Sequence, residues 1–299
     1  MARSDRVETT ANGGNGLWLD RPAGPLRSAV VVLHGAEAPG RDYFLYAHLA
    51  EVLAPRGVVV VRDDRRPSVD GRDVPLATQA EDALRAVTEL RAEVGDVPVG
   101  LWGWSQGAWA AALAAATAPA AVAYLICVSA GGVSPAAQMR FGTAQHLRAH
   151  GYGESDVADM LAVRIAVEAS LRGDGDRGHT QRLLDDAATR PWFGLAYLPR
   201  EAPTAGSWPD MDHDPVSVLR QVRCPALAIY GETDAWVPVE ASIGAWRDAP
   251  LADVTVARLA GGDHMPTIGG GENDPISAEY TATLVRWLVD RGWAGAAAG

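Results

Sequence analysis

Residues 103–107 read Gly-Trp-Ser-Gln-Gly, a serine with glycine two places before it and two places after it. The chain reaches this serine through an apolar run, VPVGLWGW, and leaves it through an alanine-rich one, SQGAWAAALAAATA. That order predicts a strand, a very sharp turn and a helix, with Ser105 at the corner. Such a corner strains the serine backbone and presents its hydroxyl at the carboxyl end of a sheet, where open α/β sheets place their ligands. Neighbouring chain presses close at 103 and 107, where a β-carbon would clash. The helix starts at once, so its first amides and its dipole point at the same spot. The chemistry this implies is nucleophilic attack by a hydroxyl.

A hydroxyl is a weak nucleophile until a base takes its proton and a third group orients that base. In architectures with this kind of corner, the partners follow in the order serine, acid, histidine. After the apolar run ALAIYG comes ETDAWVP, which puts Asp234 just past a strand end. After VTVARL comes AGGDHMP, which puts His264 past the next one. His264 is thus the candidate base and Asp234 the group that fixes its tautomer. Among the other histidines, His34 precedes the serine, His48 falls inside a helix, and His146, His150, His179 and His213 lie in a helical stretch away from the strand ends. Asp263 adjoins the histidine and is poorly placed to fold back onto its ring.

The oxyanion formed in acyl transfer needs two donors. The backbone N–H of Gln106 is one. The other is expected from the loop HGAEAPG, as the N–H of Ala36, with Gly35 allowing the loop to come close.

These groups need a scaffold, and the apolar pattern supplies it. Strand-like runs cover 28–35, 57–64, 97–104 and 120–130, separated by helical patterns over 42–57, 78–95 and 105–118. Continuous β-branched runs alternating with helices predict a parallel sheet covered on both faces. The rhythm breaks over 133–217, where three helical patches appear without a clear strand. It resumes with strands at 225–234 and 253–264 and a last helix over 276–292. The expected organisation is a core of 1–132 and 218–299 with a helical cap of 133–217 inserted before the strand that leads to Asp234.

Composition bounds the function classes. A formal charge of −11 argues against nucleic acid or an anionic membrane as partner, and 48% hydrophobic residues suffice for a large core. No apolar run is long enough to span a membrane, and the first residues lack the apolar stretch of a signal peptide. Cys127 and Cys224 each sit in or beside an apolar strand, which reads as two buried thiols in a reducing compartment, so a cytoplasmic protein is expected. No histidine or carboxylate spacing suggests a metal, and no cofactor is expected. Monomer and homodimer both stay open.

The same residues resemble the α/β-hydrolase superfamily over nearly the whole chain. The resemblance is carried by His34-Gly35, Gly103-Trp104-Ser105-Gln106-Gly107, Tyr230-Gly231-Glu232-Thr233-Asp234 and Gly262-Asp263-His264. Asp64-Arg65-Arg66 is similar to the D-R-R-G segment of many bacterial members, with Pro67 replacing the glycine. The return DHDPVSVLRQVRCPALAIYGETDAWVPVE is similar to that of capped bacterial esterases and dipeptidyl-peptidase-like hydrolases. The resemblance implies a mostly parallel sheet of about eight strands flanked by helices, a helical cap, and cleavage through an acyl-enzyme. Relatives often carry Ser-Gly or Gly-Gly after the His-Gly pair, whereas this chain has Ala36-Glu37. Glu37 is expected to face solvent or to pair with Arg41 or Arg65.

Ten tryptophans against three phenylalanines suggest an aromatic-lined cleft. Trp104, Trp192, Trp208 and Trp236, with Glu37, are the candidate substrate-binding residues. The leading expectation is a serine hydrolase acting on a carboxylic ester, thioester or lactone of a hydrophobic small molecule. An aminopeptidase or amidase, with Glu37 or a cap carboxylate binding an amine, stays open. So do a cyclase, lyase or isomerase using the same triad for acid–base chemistry, and a non-catalytic binding protein on the same fold.

Overall fold

The computed structural model describes residues 5–9, 17–36, 40–69, 72–272 and 274–296. Eight strands form one sheet: β1 (Asp5–Thr9), β2 (Leu17–Arg21), β3 (Ser28–Leu33), β4 (Val58–Val61), β5 (Val99–Trp104), β6 (Tyr124–Val128), β7 (Ala226–Gly231) and β8 (Val254–Leu259). Their spatial order is β1-β2-β4-β3-β5-β6-β7-β8. β1 pairs antiparallel with β2 and β2 with β4, while every pairing from β4 to β8 is parallel. The sheet of about eight mostly parallel strands implied by the resemblance is present.

The central strands read as unbroken apolar runs because both faces are covered. Along β3, Ala29, Val31 and Leu33 belong to the apolar layer on one face, which α2 (Leu76–Val94), α3 (Gln106–Thr117), α7 (Pro215–Leu219) and α8 (Val239–Asp248) complete. Val30 and Val32 point to the other face and meet α1 (Phe44–Leu53) and α9 (Ala278–Asp290). This is the alternation that a period of two requires.

Between β6 and β7 the chain forms α4 (Pro135–Ala149), α5 (Glu154–Arg172) and α6 (Arg177–Ala187). The helices carry their own buried cluster, which includes Leu147, Met160, Val167, Leu184, Trp192 and Phe193. α4 is capped by Ser134, whose Oγ accepts from the Ala137 amide, with Pro135 following at a position that tolerates proline. The helical patches read from the sequence are therefore helices joined into one packed unit. The β1–β2 pair and α8 carry no clear signal in the apolar pattern. β1 is short and carries charge (DRVET), so its apolar pattern gives no strand signal; only its pairing with β2 makes it one.

Candidate active site

Leu33 of β3 pairs with Gly103 of β5. Their register brings Ala36 and Gln106, each three residues further on, past the same end of the sheet. At the corner, Ser105 has φ 53 and ψ −119. This positive φ is a conformation that non-glycine residues rarely adopt. Its amide donates to the Val128 carbonyl of the neighbouring strand at 2.9 Å, which helps fix the turn. A β-carbon on Gly103 would lie 2.3 Å from the Gly107 carbonyl oxygen, and one on Gly107 would lie 2.3 Å from that of Leu33. Both glycines are thus needed for close approach of backbone to backbone, as the sequence pattern suggested.

Asp234 and His264 arrive at the same sheet edge from the loops after β7 and β8. The His264 ring bridges the two other groups: Nδ1 is 3.0 Å from Asp234 Oδ2, and Nε2 is 3.0 Å from Ser105 Oγ. The Asp234 side chain has 0% exposure. Its second oxygen, Oδ1, accepts from the amides of Trp236 at 2.8 Å and Val237 at 2.9 Å. A buried carboxylate so bound keeps one oxygen for the imidazole and cannot rotate away from it. Asp263 Oδ1 instead accepts from the backbone of His264 and Ala235, so it braces the loop rather than the ring.

The backbone carbonyl of His264 accepts two hydrogen bonds, from Trp104 Nε1 at 3.1 Å and from Ser129 Oγ at 2.8 Å. Ser129 follows β6 and has a positive φ of 51. Sequence reasoning missed Ser129, because nothing in CVSAGG marks that serine from any other at a strand end.

Gly35 is fixed on both sides. Its amide donates to Tyr46 Oη at 3.0 Å, and its carbonyl accepts from Arg65 Nη1 at 3.2 Å. The same Nη1 donates to Gln106 Oε1 at 2.6 Å, while Gln106 Nε2 donates to Asp73 Oδ2 at 2.7 Å and Arg65 pairs with Asp73. Burial pulls the Arg65 guanidinium below its usual basicity and pushes the Tyr46 phenol up. Arg41, by contrast, grips Asp64 with two side-chain bonds, and this holds the Asp64 carboxyl below the usual range.

Trp104 is 6% exposed, and its ring lies against Gly35, Tyr43 and His264. It braces the His264 loop and offers little surface to a ligand. Trp192 is 1% exposed within the core of the helical insertion, which corrects its expected place in a cleft: packing uses its whole ring. Trp208 packs at the edge of that core. Trp236 leaves the Asp234 loop and meets the insertion, with His146 stacked on it at 5.9 Å and Tyr197 edge-on at 5.4 Å. Glu37 lies outside the described residues. In the glycine-rich stretch after His264, Glu272 accepts from Tyr43 Oη at 2.8 Å, which ties that stretch to the start of α1.

Cys127 and Cys224 are unpaired buried thiols. Among the described residues no group of three or more potential metal ligands occurs, and no helix is long and apolar enough to cross a membrane.

A family model described as the alpha/beta hydrolase family matches residues 30–275. Comparison with curated protein sequences finds no match. Among solved structures, DcsB in complex with its substrate analogue aligns at TM-score 0.61 and 18% identity, covering 96% of this chain and 99% of that one. Proline iminopeptidase of Mycobacterium smegmatis aligns at 0.59 and 17% identity, covering 94% and 96%. Est1E of Butyrivibrio proteoclasticus aligns at 0.58 and 16%, covering 96% and 98%.

Proposed function

Because the chain belongs to the α/β-hydrolase family, we propose that it is a serine hydrolase cleaving a carboxylic ester, or a thioester or lactone, of a hydrophobic small molecule. The observation that carries this reading is the His264 ring, 3.0 Å from the Ser105 hydroxyl on one side and 3.0 Å from the Asp234 carboxylate on the other. Ser105 Oγ attacks the carbonyl carbon as its proton passes to His264 Nε2. The carbonyl electron pair moves to oxygen, where the N–H groups of Ala36 and Gln106 receive it. Gln106 opens α3, whose first amides have no acceptor within the helix. Asp234 stabilises the imidazolium and remains ionised. Collapse breaks the bond to the leaving oxygen or sulfur, which takes the proton from His264, and water then releases the acyl group by the same steps.

The helical insertion serves in this reading as a cap, with Trp236, His146 and Tyr197 where it meets the core. A neutral small molecule, rather than nucleic acid or an anionic membrane surface, suits a chain of net charge −11. Intact mass after incubation with a fluorophosphonate tests the proposal, with Ser105→Ala as control. A single adduct on the wild type and none on the variant supports it, and turnover of 4-nitrophenyl esters completes it. Absence of any adduct on folded protein would overturn the acyl-enzyme.

A further inference from the structure

We propose that Arg65 is a positioning residue that locks the Gly35–Ala36 peptide so that the Ala36 N–H faces the developing oxyanion; this rests on the serine-hydrolase reading above. In a trans peptide the C=O of one residue and the N–H of the next point in opposite directions. Whatever grips the Gly35 carbonyl therefore also aims the Ala36 amide. Arg65 Nη1 donates to that carbonyl at 3.2 Å. Rotation of this peptide plane would carry the amide away from the carbonyl oxygen of the substrate, and the guanidinium opposes it.

The clamp reaches both halves of the oxyanion site. Arg65 Nη1 also holds Gln106 Oε1 at 2.6 Å, and Gln106 supplies the second donor from its backbone. One planar cation thus spans the loop after β3 and the turn after β5. Asp73 closes the ring by pairing with Arg65 and accepting from Gln106 Nε2 at 2.7 Å. Behind the peptide, the Gly35 amide is pinned by Tyr46 Oη at 3.0 Å. On its other flank, a β-carbon at 35 would meet Trp104 Cε3 at 2.6 Å, so the peptide is also wedged against an indole.

The geometry distinguishes this role from direct binding of an anionic substrate. The Arg65 side chain is 8% exposed, and its Nη atoms are taken up by a carbonyl, an amide oxygen and a carboxylate. Its charge is balanced by Asp73. What remains is a rigid planar fork, and lysine cannot reproduce its several directed bonds.

The test compares wild type, Arg65→Met, Arg65→Lys and Asp73→Asn on 4-nitrophenyl acetate and with an arylboronic acid. The boronate adduct on Ser105 is tetrahedral and places an oxygen where the oxyanion forms. Loss of one oxyanion donor costs about 100- to 1,000-fold in kcat. Arg65→Met is expected to lose about 100-fold in kcat with KM within about twofold, and to bind the boronate weaker by a matching factor. Arg65→Lys, which still reaches one carbonyl, is expected to recover part of both. Asp73→Asn keeps the guanidinium and its space; it is expected to show a smaller loss with the same kcat–boronate correspondence, and it decides the matter should Arg65→Met not fold. Unchanged kcat in these variants, or a fall in kcat with boronate affinity unchanged, overturns the clamp and leaves the serine-hydrolase reading standing. A wild type that neither hydrolyses the ester nor binds boronate overturns both.

Discussion

The Trp104 indole donates to the backbone carbonyl of His264 at 3.1 Å, so the residue before Ser105 holds the loop that carries His264. Ser129 donates to the same oxygen at 2.8 Å from the adjacent strand end. The distance between Ser105 and His264 is therefore set by the sheet itself, through the ends of β5 and β6, and not by the histidine loop alone.

Trp104→Phe keeps a ring against Gly35 and Tyr43 but removes this donor. One hydrogen bond contributes about 1 kcal/mol, so the expected fall in Tm is only a few degrees. The larger effect is expected in kcat, roughly 10-fold, because small misplacement of a base is costly. Combining it with Ser129→Ala leaves the carbonyl without its two side-chain donors, and the double variant is expected to lose more than the product of the single losses. Steady-state kinetics on the four proteins measures that coupling.

The corner glycines have no such latitude. On Gly107 a β-carbon would meet the carbonyl oxygens of Leu33 at 2.3 Å and His34 at 2.6 Å, backbone atoms at the end of β3 and just past it. Gly107→Ala is expected to cost more than about 3 kcal/mol or to abolish soluble expression, by overpacking that no side chain can relieve. Gly244→Ala is the control: it lies in α8 with nothing within 4 Å of its β-carbon position. There the substitution is expected to raise stability by up to about 1 kcal/mol, since alanine favours the helix. Equal thermal melts for the two variants would refute the steric account of the corner.

The corner was legible because its constraints are local: an apolar run, two glycines and a helix former announce it in one stretch. Asp234 and His264 were legible for a related reason, since each follows a strand whose apolar run is unmistakable. Ser129 was not, and Arg65 stood out only as part of a segment similar to D-R-R-G, because what each does depends on its partners in space: Ser129 on the His264 carbonyl, and Arg65 on Gly35, Asp73 and Gln106 together. Trp192 misled through composition, as tryptophan suits a cleft and a core equally and only packing decides. β1 and β2 are short and carry charge, so neither gives a strand signal, and their pairing is a tertiary fact.

Acid sensitivity follows from two histidines outside the site. His48, with Nε2 2.9 Å from Thr281 Oγ1, and His213 are both held below the usual imidazole range, chiefly by burial, with Glu51 and then Asp210 and Asp214 opposing the shift. His213 Nε2 is buried without a hydrogen-bond partner among the described residues, so a proton there has no acceptor. Because their folded pKa values are lowered, the unfolded chain binds protons first as pH falls. Stability from these groups is full above about pH 6.5 and is lost as pH drops below it towards their folded pKa values. Urea midpoints are expected to fall between pH 7 and pH 5, and His213→Gln is expected to flatten that slope. A slope unchanged in both His213→Gln and His48→Gln would place the acid sensitivity elsewhere.

Gly142 and Trp236 make the contact that tests whether the insertion acts as a cap. A β-carbon on Gly142 of α4 would lie 2.3 Å from Trp236 Cε3, so the helix rests on the indole only because the side chain is absent. The Trp236 amide stays bound to Asp234 Oδ1, so crowding the ring moves the indole or α4 before it moves the carboxylate. Gly142→Ala is therefore expected to leave kcat on 4-nitrophenyl acetate within about threefold, since the transition-state contacts are untouched. If the insertion covers the site, a long-chain acyl group passes the altered contact, and kcat/KM is then expected to change by about 10-fold relative to acetate, as loss or gain of apolar packing worth roughly 1–3 kcal/mol allows. Trp236→Ala, which removes the ring, is expected to shift the same ratio without the crowding. If both variants change the two esters in equal proportion, the contact serves stability alone and the substrate enters by another face.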